Sequence, residues 1–117
     1  MPTTYFGLIL LCVAGISVGQ ILFKIAALKS LGADYEIGLW KIIFHPYMVT
    51  GIFIYAAATL LWVWTLRIVP LNLAYPLMGL AFVVVPILSS IFIGEPLKTS
   101  IFIGGLLITL GIYVIER

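Results

Sequence analysis

A chain of 117 residues that is 64% hydrophobic and 9% charged cannot hide its apolar surface in a core of its own size. It is expected to use a bilayer as solvent. The formal net charge of +2, carried by scattered cations, gives no sign of a nucleic-acid partner, and a single cysteine, Cys12, in an apolar run excludes an intrachain disulfide and suggests no metal cluster.

Four apolar segments approach the length of about 20 residues that a spanning helix needs. They are predicted at residues 5–28, 47–66, 71–93 and 101–115. All four should be helical, because hydrocarbon offers no partner to an unpaired backbone group. The expected fold class is therefore all-α: an integral membrane four-helix bundle, with residues 1–117 as one membrane domain. No basic stretch precedes the first segment and further spans follow it, so it reads as a span and not as a signal peptide.

The first segment contains "GQILFK", Gly19 to Lys24. Ser17, Gln20 and Lys24 are spaced i, i+3, i+7, which places them on one helix face. Gly15 and Gly19 beside them form a GxxxG pattern that lets helices approach closely in lipid. Lys24 lies about 7 Å from the predicted helix end at 1.5 Å per residue. Two readings stand there: a stem that snorkels to the head groups, or a polar site shared with Gln20, which is one turn deeper and less able to reach water.

Residues 29–46 form the single long connection, with Lys29, Asp34, Glu36 and Lys41. Tyr35, Leu39, Trp40 and Ile43 are expected against the bilayer surface. His45 is expected as an interfacial residue, and Pro46 in the first turn of the second helix. That helix ends in Trp62 and Trp64, which suit interfacial anchors; Trp62 alternatively walls a cavity.

In the third segment, Pro76 and Pro86 each remove a backbone donor and invite a bend. Its polar groups are Asn72, Tyr75, Ser89 and Ser90. Bends with freed carbonyls line pathways in many membrane proteins; packing alone also tolerates them. The fourth segment is short for a full span and is expected to stand steeply or reach into the polar boundary. Gly104, Ile108 and Gly111 share one of its faces, a strip suited to contact between protomers. So few spans enclose little space, so a dimer is the expected unit.

The links "RIVP" and "GEPLKTS" are short enough to force antiparallel neighbours. Both termini then share a side with Arg67 and Arg117, while Lys29, Lys41 and Lys98 lie on the other. The positive-inside rule puts the termini outside on this count, with a bias small enough for both orientations. No metalloprotease-type His/Glu motif, glycine-rich phosphate loop or Ser/His/Asp set occurs at useful spacing. No enzyme activity and no cofactor are expected.

Over nearly the whole chain, "GQILFK", "VPLNLAYPLMGLAFVVV", "GEPL" and "GGLLITLG" resemble the small multidrug resistance family of the drug/metabolite transporter superfamily. The resemblance matches Tyr75 to that family's third-helix tyrosine, and Gly104 and Gly111 to its dimerising glycines. One departure is large. Drug-exporting members carry a glutamate in the first helix where this chain has Ile16, and Met78 replaces an aromatic of their cation site. No Asp or Glu lies within any predicted span, so nothing there would offset a cation's lost hydration.

The pattern is more similar to another branch, the subunits proposed to flip undecaprenyl phosphate-aminoarabinose across the bacterial inner membrane. That likeness implies a multi-pass transporter for a polyprenyl-phosphate-linked sugar, with membrane lipid around it. Lys24 would attract the phosphate. Gln20, Ser17, Asn72 and Tyr75 would offer hydrogen bonds, and Tyr5, Trp62 and Met78 would pack on the sugar or isoprenoid. Glu95 would pair with Lys24 or Lys98 or meet a sugar amine; an exposed carboxylate at a helix end is the plainer reading. The unit would be a homodimer or a heterodimer with a second four-helix subunit. Two rival functions remain: a small-cation or metabolite exporter, and a non-transporting partner subunit.

Overall fold

The computed structural model describes residues 3–29, 40 and 42–117. Helix α1 covers Thr3–Lys29 and α2 covers Pro46–Leu66. The third span is α3, Leu71–Leu77, and α4, Ala81–Phe92, joined by a 3-10 turn at Met78–Leu80. The last helix, α5, covers Thr99–Glu116. The described residues are helical without strands, and four helical stretches are long and apolar enough to cross a membrane.

Two expectations about the spans change. The last helix has 18 residues, not a shortened span. At 1.5 Å per residue it is about 27 Å long, close to the ~30 Å hydrocarbon thickness. Thr99 and Ser100 join its first turn, where unpaired N–H groups tolerate polar residues, and Ile101 N–H bonds the Lys98 carbonyl at 3.0 Å. The two prolines also differ from each other. The 3-10 turn begins two residues after Pro76 and contains Gly79, whereas Pro86 is carried inside α4.

The expected bundle is looser than four helices around one axis. α1 packs along α2 on one flank and along the third span on another, and α5 packs mainly on the third span. The chain measures 50 × 35 × 20 Å. Its thin dimension equals about two helix diameters. The core gathers at the end that holds the termini, where Ile9, Val69, Ala74, Leu77 and Ile112 are buried. Tyr5, Trp62, Leu66 and Ile108 surround them. Val69 belongs to the short link after α2, so the "RIVP" turn is itself part of the packing.

Between α1 and α2 the contact is made by small residues. A Cβ added at Gly15 would stand 3.0 Å from Ala58 Cβ, and one at Gly51 would stand 2.7 Å from the Phe23 ring. The Phe23 and Tyr55 rings meet above this seam at 6.0 Å. The GxxxG pattern of α1 is thus used within the chain, against α2.

Each end of α2 carries a cation on an aromatic ring. Lys29 Nζ lies 5.3 Å from the Tyr47 ring centre, and the Arg67 guanidinium 4.9 Å from the Trp64 ring. Tyr47 and Trp64 are separated by about 26 Å of helix, so they bracket a hydrocarbon core of ~30 Å. His45 caps α2, its Nδ1 accepting the Tyr47 N–H at 3.2 Å, and Pro46 opens the first turn. Trp40 is exposed and stacks on Phe44 at 6.2 Å. The expectations for Asp34, Tyr35, Glu36, Leu39 and Lys41 lie outside the described residues.

The turn after α4 is tied by one residue. The Ser89 carbonyl accepts the N–H groups of Ile93, Gly94 and Glu95 at 2.9, 3.0 and 3.4 Å. Gly94 there has φ +84° and open space where a Cβ would stand, so its backbone alone, and not crowding, demands glycine. Gly94→Ala is expected to lower stability by about 1–2 kcal/mol, the left-handed penalty for an L-residue. Thermal unfolding in detergent measures it; an unchanged midpoint would show that the turn relaxes.

Candidate functional site

Lys24 stands on α1 about 7 Å before the helix ends at Lys29, at 1.5 Å per residue. Helical side chains lean toward the N-terminus, over the residues three and four positions earlier. For Lys24 those are Ile21 and Gln20. Its Cα–Cβ bond therefore points back into the span, and the stem must bend to reach the nearer head groups. Lys24 and Gln20 are both exposed on the single chain.

Ser17, the third member of the stripe, differs. It is fully buried, and its hydroxyl donates to the Val13 carbonyl at 2.7 Å. Its donor is thus already used. Thr50, Thr59, Thr65 and Thr109 likewise donate to the carbonyl four residues earlier, each at 2.8 Å. In an apolar span that carbonyl is the partner always within reach.

The remaining residues expected at the site spread along the molecule. Asn72 and Tyr75 are exposed at the beginning of the third span, on a side away from buried Ala74 and Leu77. Met78 is half-buried in the 3-10 turn, and Trp62 is half-buried against the core cluster with Tyr5. About 28 Å of α1 separates Tyr5 from Lys24 at 1.5 Å per residue. The structure therefore brings Tyr5 and Trp62 together near the termini and leaves Gln20 and Lys24 toward the opposite end.

Glu95 lies beyond the far end of α4. Its Oε1 accepts the Ser89 hydroxyl at 2.7 Å. Ser89, Glu95, Pro86, Pro96, Leu97 and Ile101 border a cavity of about 270 Å³ beneath the turn. The carboxylate is thus held by a hydroxyl on its own span, and the ammonium partners expected from the sequence do not supply that bond.

On α5 the strip of Gly104, Ile108 and Gly111 divides. Gly104 and Gly111 have open space where a Cβ would stand. Ile108 turns inward, its Cγ2 3.7 Å from a Cβ built on Gly79. The closest approaches to the third span are made through Gly105 and Ile112. A Cβ built on Gly105 would stand 3.2 Å from Val83 Cγ2, and one built on Gly79 would stand 3.3 Å from Ile112 Cδ1. The repeated glycine in "GGLL" was the available sign of this second, internal face.

Sequence reasoning also missed a crevice of about 190 Å³ between α1 and α4. Val18, Ile21, Leu22 and Ile25 line one wall, Leu88 and Phe92 the other. Every one of these residues is apolar, so nothing in the sequence separates them from surface that simply meets lipid. Among the described residues, no three His, Cys, Asp or Glu side chains gather to hold a metal ion.

Comparison with protein-family models, with curated proteins and with solved structures finds no match to this chain.

Proposed function

We propose that this chain is a subunit of a membrane transporter that carries an anionic lipid, a polyprenyl-phosphate-linked sugar, across the bacterial inner membrane. The observation that supports this most is Lys24: a cation in a membrane helix, with no carboxylate in the interior of any span. A charge at the bilayer centre costs about 2.5–3.5 kcal/mol on insertion scales, and such residues commonly mark pathways. Lys24, about 7 Å from the helix end, carries less than that central cost, and a passing phosphate would offset part of it. Gln20 one turn below, and Asn72 and Tyr75 at the far end of the third span, offer further polar groups along the length that a head group must travel.

Export of small cations fits less well. Ile16 occupies the place of the family's essential acid, and the carboxylate of Glu95 is at the end of the third span, bonded to Ser89. The exposed side of α5, where Gly104 and Gly111 are open, offers room for a second subunit, identical or different. Mass spectrometry of lipid that copurifies with the chain tests the proposal. A bound phosphorylated polyprenol is expected; saturable binding of a quaternary ammonium compound without any phosphorylated lipid would overturn it.

A further inference from the structure

We infer that Arg67 and Trp64, at the end of α2, seat the phosphate of an anionic membrane phospholipid whose acyl chain lies along the exposed ridge of α2 beneath them. The Arg67 side chain is held at two points. Its Nε donates to the Trp64 carbonyl at 3.2 Å, and its guanidinium lies over the Trp64 ring at 4.9 Å. The two Nη groups carry the donors that remain. Among the described acidic side chains none is paired with them: Glu95 accepts from Ser89, and Glu116 Oε1 has no hydrogen-bond partner. A guanidinium fixed in this way presents a planar donor edge already oriented, the form that grips two phosphate oxygens at once.

The register of α2 places a hydrocarbon track under that edge. Phe53, Leu60 and Arg67 recur at i, i+7 and i+14, and Val63 and Trp64 stand four and three positions before Arg67, so all five share one side of the helix. All are exposed, Phe53 and Leu60 at 72% each. Gly51 and Ala58, which meet α1, are buried on the opposite side. The contact with the Trp64 ring shows that the guanidinium itself sits over this ridge. Trp64 stands at the edge of the apolar layer, and Arg67 lies about 4.5 Å further along the axis, within a head-group layer about 5–7 Å deep. A free anion would satisfy the guanidinium but not the ridge. A zwitterionic head carries its own ammonium, which competes for the phosphate. The two demands together select a phosphodiester without an ammonium of its own, as in phosphatidylglycerol. The seat lies at the end that holds the termini, away from Lys24, and stands independently of the transport proposal.

The test is native mass spectrometry of the full chain released from detergent with dioleoyl phosphatidylglycerol, dioleoyl phosphatidylcholine or inorganic phosphate. One phosphatidylglycerol is expected to stay bound at collision energies that strip phosphatidylcholine, and excess inorganic phosphate should not displace it. Arg67→Gln should weaken its retention about tenfold, the loss of a hydrogen-bonded charge. Arg67→Lys, which keeps the charge but not the fork, should weaken it less. Arg67 also caps α2, so a second measurement uses the unaltered chain: phosphatidylglycerol with a diazirine in its acyl chain is expected to label α2 between Phe53 and Trp64. Labels confined to α1 or α5, or equal retention of the two phospholipids, would overturn the inference. So would displacement by inorganic phosphate, which would mark a plain anion site. Displacement by farnesyl phosphate at matched concentration would give the seat to a polyprenyl carrier and overturn the phospholipid assignment. Efficient disulfide pairing of a Leu60→Cys chain with its copy in membranes would put a second protomer on the ridge, with the same consequence.

Discussion

Lys24→Gln should reduce lipid transport by about 10- to 100-fold, the loss of one hydrogen bond to a charged group worth about 1.5–3 kcal/mol. Glutamine keeps a polar side chain, one bond shorter, but removes its charge. The variant should insert and fold as the parent does, because the ammonium is exposed and no part of the buried core depends on it. Lys24→Arg should retain much of the activity, since a guanidinium also binds phosphate. Lys24→Glu should be the worst of the three, because a carboxylate would repel the head group. Reconstitution in vesicles, with a labelled polyprenyl-phosphate-linked sugar and a probe of its appearance in the opposite leaflet, reads all three. Wild-type rates in Lys24→Gln would remove the cation from the mechanism, and with it the electrostatic basis of the proposal.

The neighbouring residues define how far that effect extends. Gln20→Leu should lower transport less than Lys24→Gln, as it removes a neutral partner. Ser17→Ala should lower it least, because the Ser17 hydroxyl already donates to Val13. This ordering separates a pathway residue from a hydroxyl that merely satisfies its own helix.

The sequence located the spans well because hydrophobic length and the Pro, Gly and charged breaks are one-dimensional signals. Pro46 after His45 marks the start of α2, and Gly94 marks the end of the third span. What it could not locate is which apolar face meets protein and which meets lipid. Val18, Ile21 and Leu88 line a crevice, whereas Leu107 and Phe53 are exposed, yet all are chemically alike. In water, polarity tells the inside from the outside; in a bilayer that contrast largely disappears. The small residues fill the gap only partly. Gly15, Gly51 and Gly105 sit at close contacts, while Gly7, Gly104 and Gly111 have open space. Polar spacing was similarly incomplete. The i, i+3, i+7 stripe placed Ser17, Gln20 and Lys24 on one side of α1 correctly in register, but burial of Ser17 depends on the neighbouring helices, which register does not contain.

Gly15→Leu should be the most damaging substitution in the seam between α1 and α2. Even the first carbon of a new side chain at Gly15 would stand 3.0 Å from Ala58 Cβ. That atom is fixed to the α2 backbone, so no rotamer change removes the conflict and the helices must part. Overpacking of this kind costs about 1–3 kcal/mol. The cost falls on the seam that fixes α2, since α2 packs chiefly on α1. Gly51 offers a contrast. Its shortest approach is to the Phe23 ring, which can turn aside, while Leu22 Cβ, fixed to the α1 backbone, stands 3.3 Å away, so Gly51→Ala should cost less than its 2.7 Å approach suggests but keeps a tight contact with α1. The decisive comparison is a cycle in which Gly15→Ala is combined with Ala58→Gly. The double variant moves one methyl across the seam and restores the spacing. It should be more stable than the two single changes predict by addition, a coupling of about 0.5–3 kcal/mol between residues in contact. Denaturant titration in mixed micelles measures each corner of the cycle. Additive effects, or a Gly15→Leu protein as stable as the parent, would show that α1 and α2 do not rest on this contact.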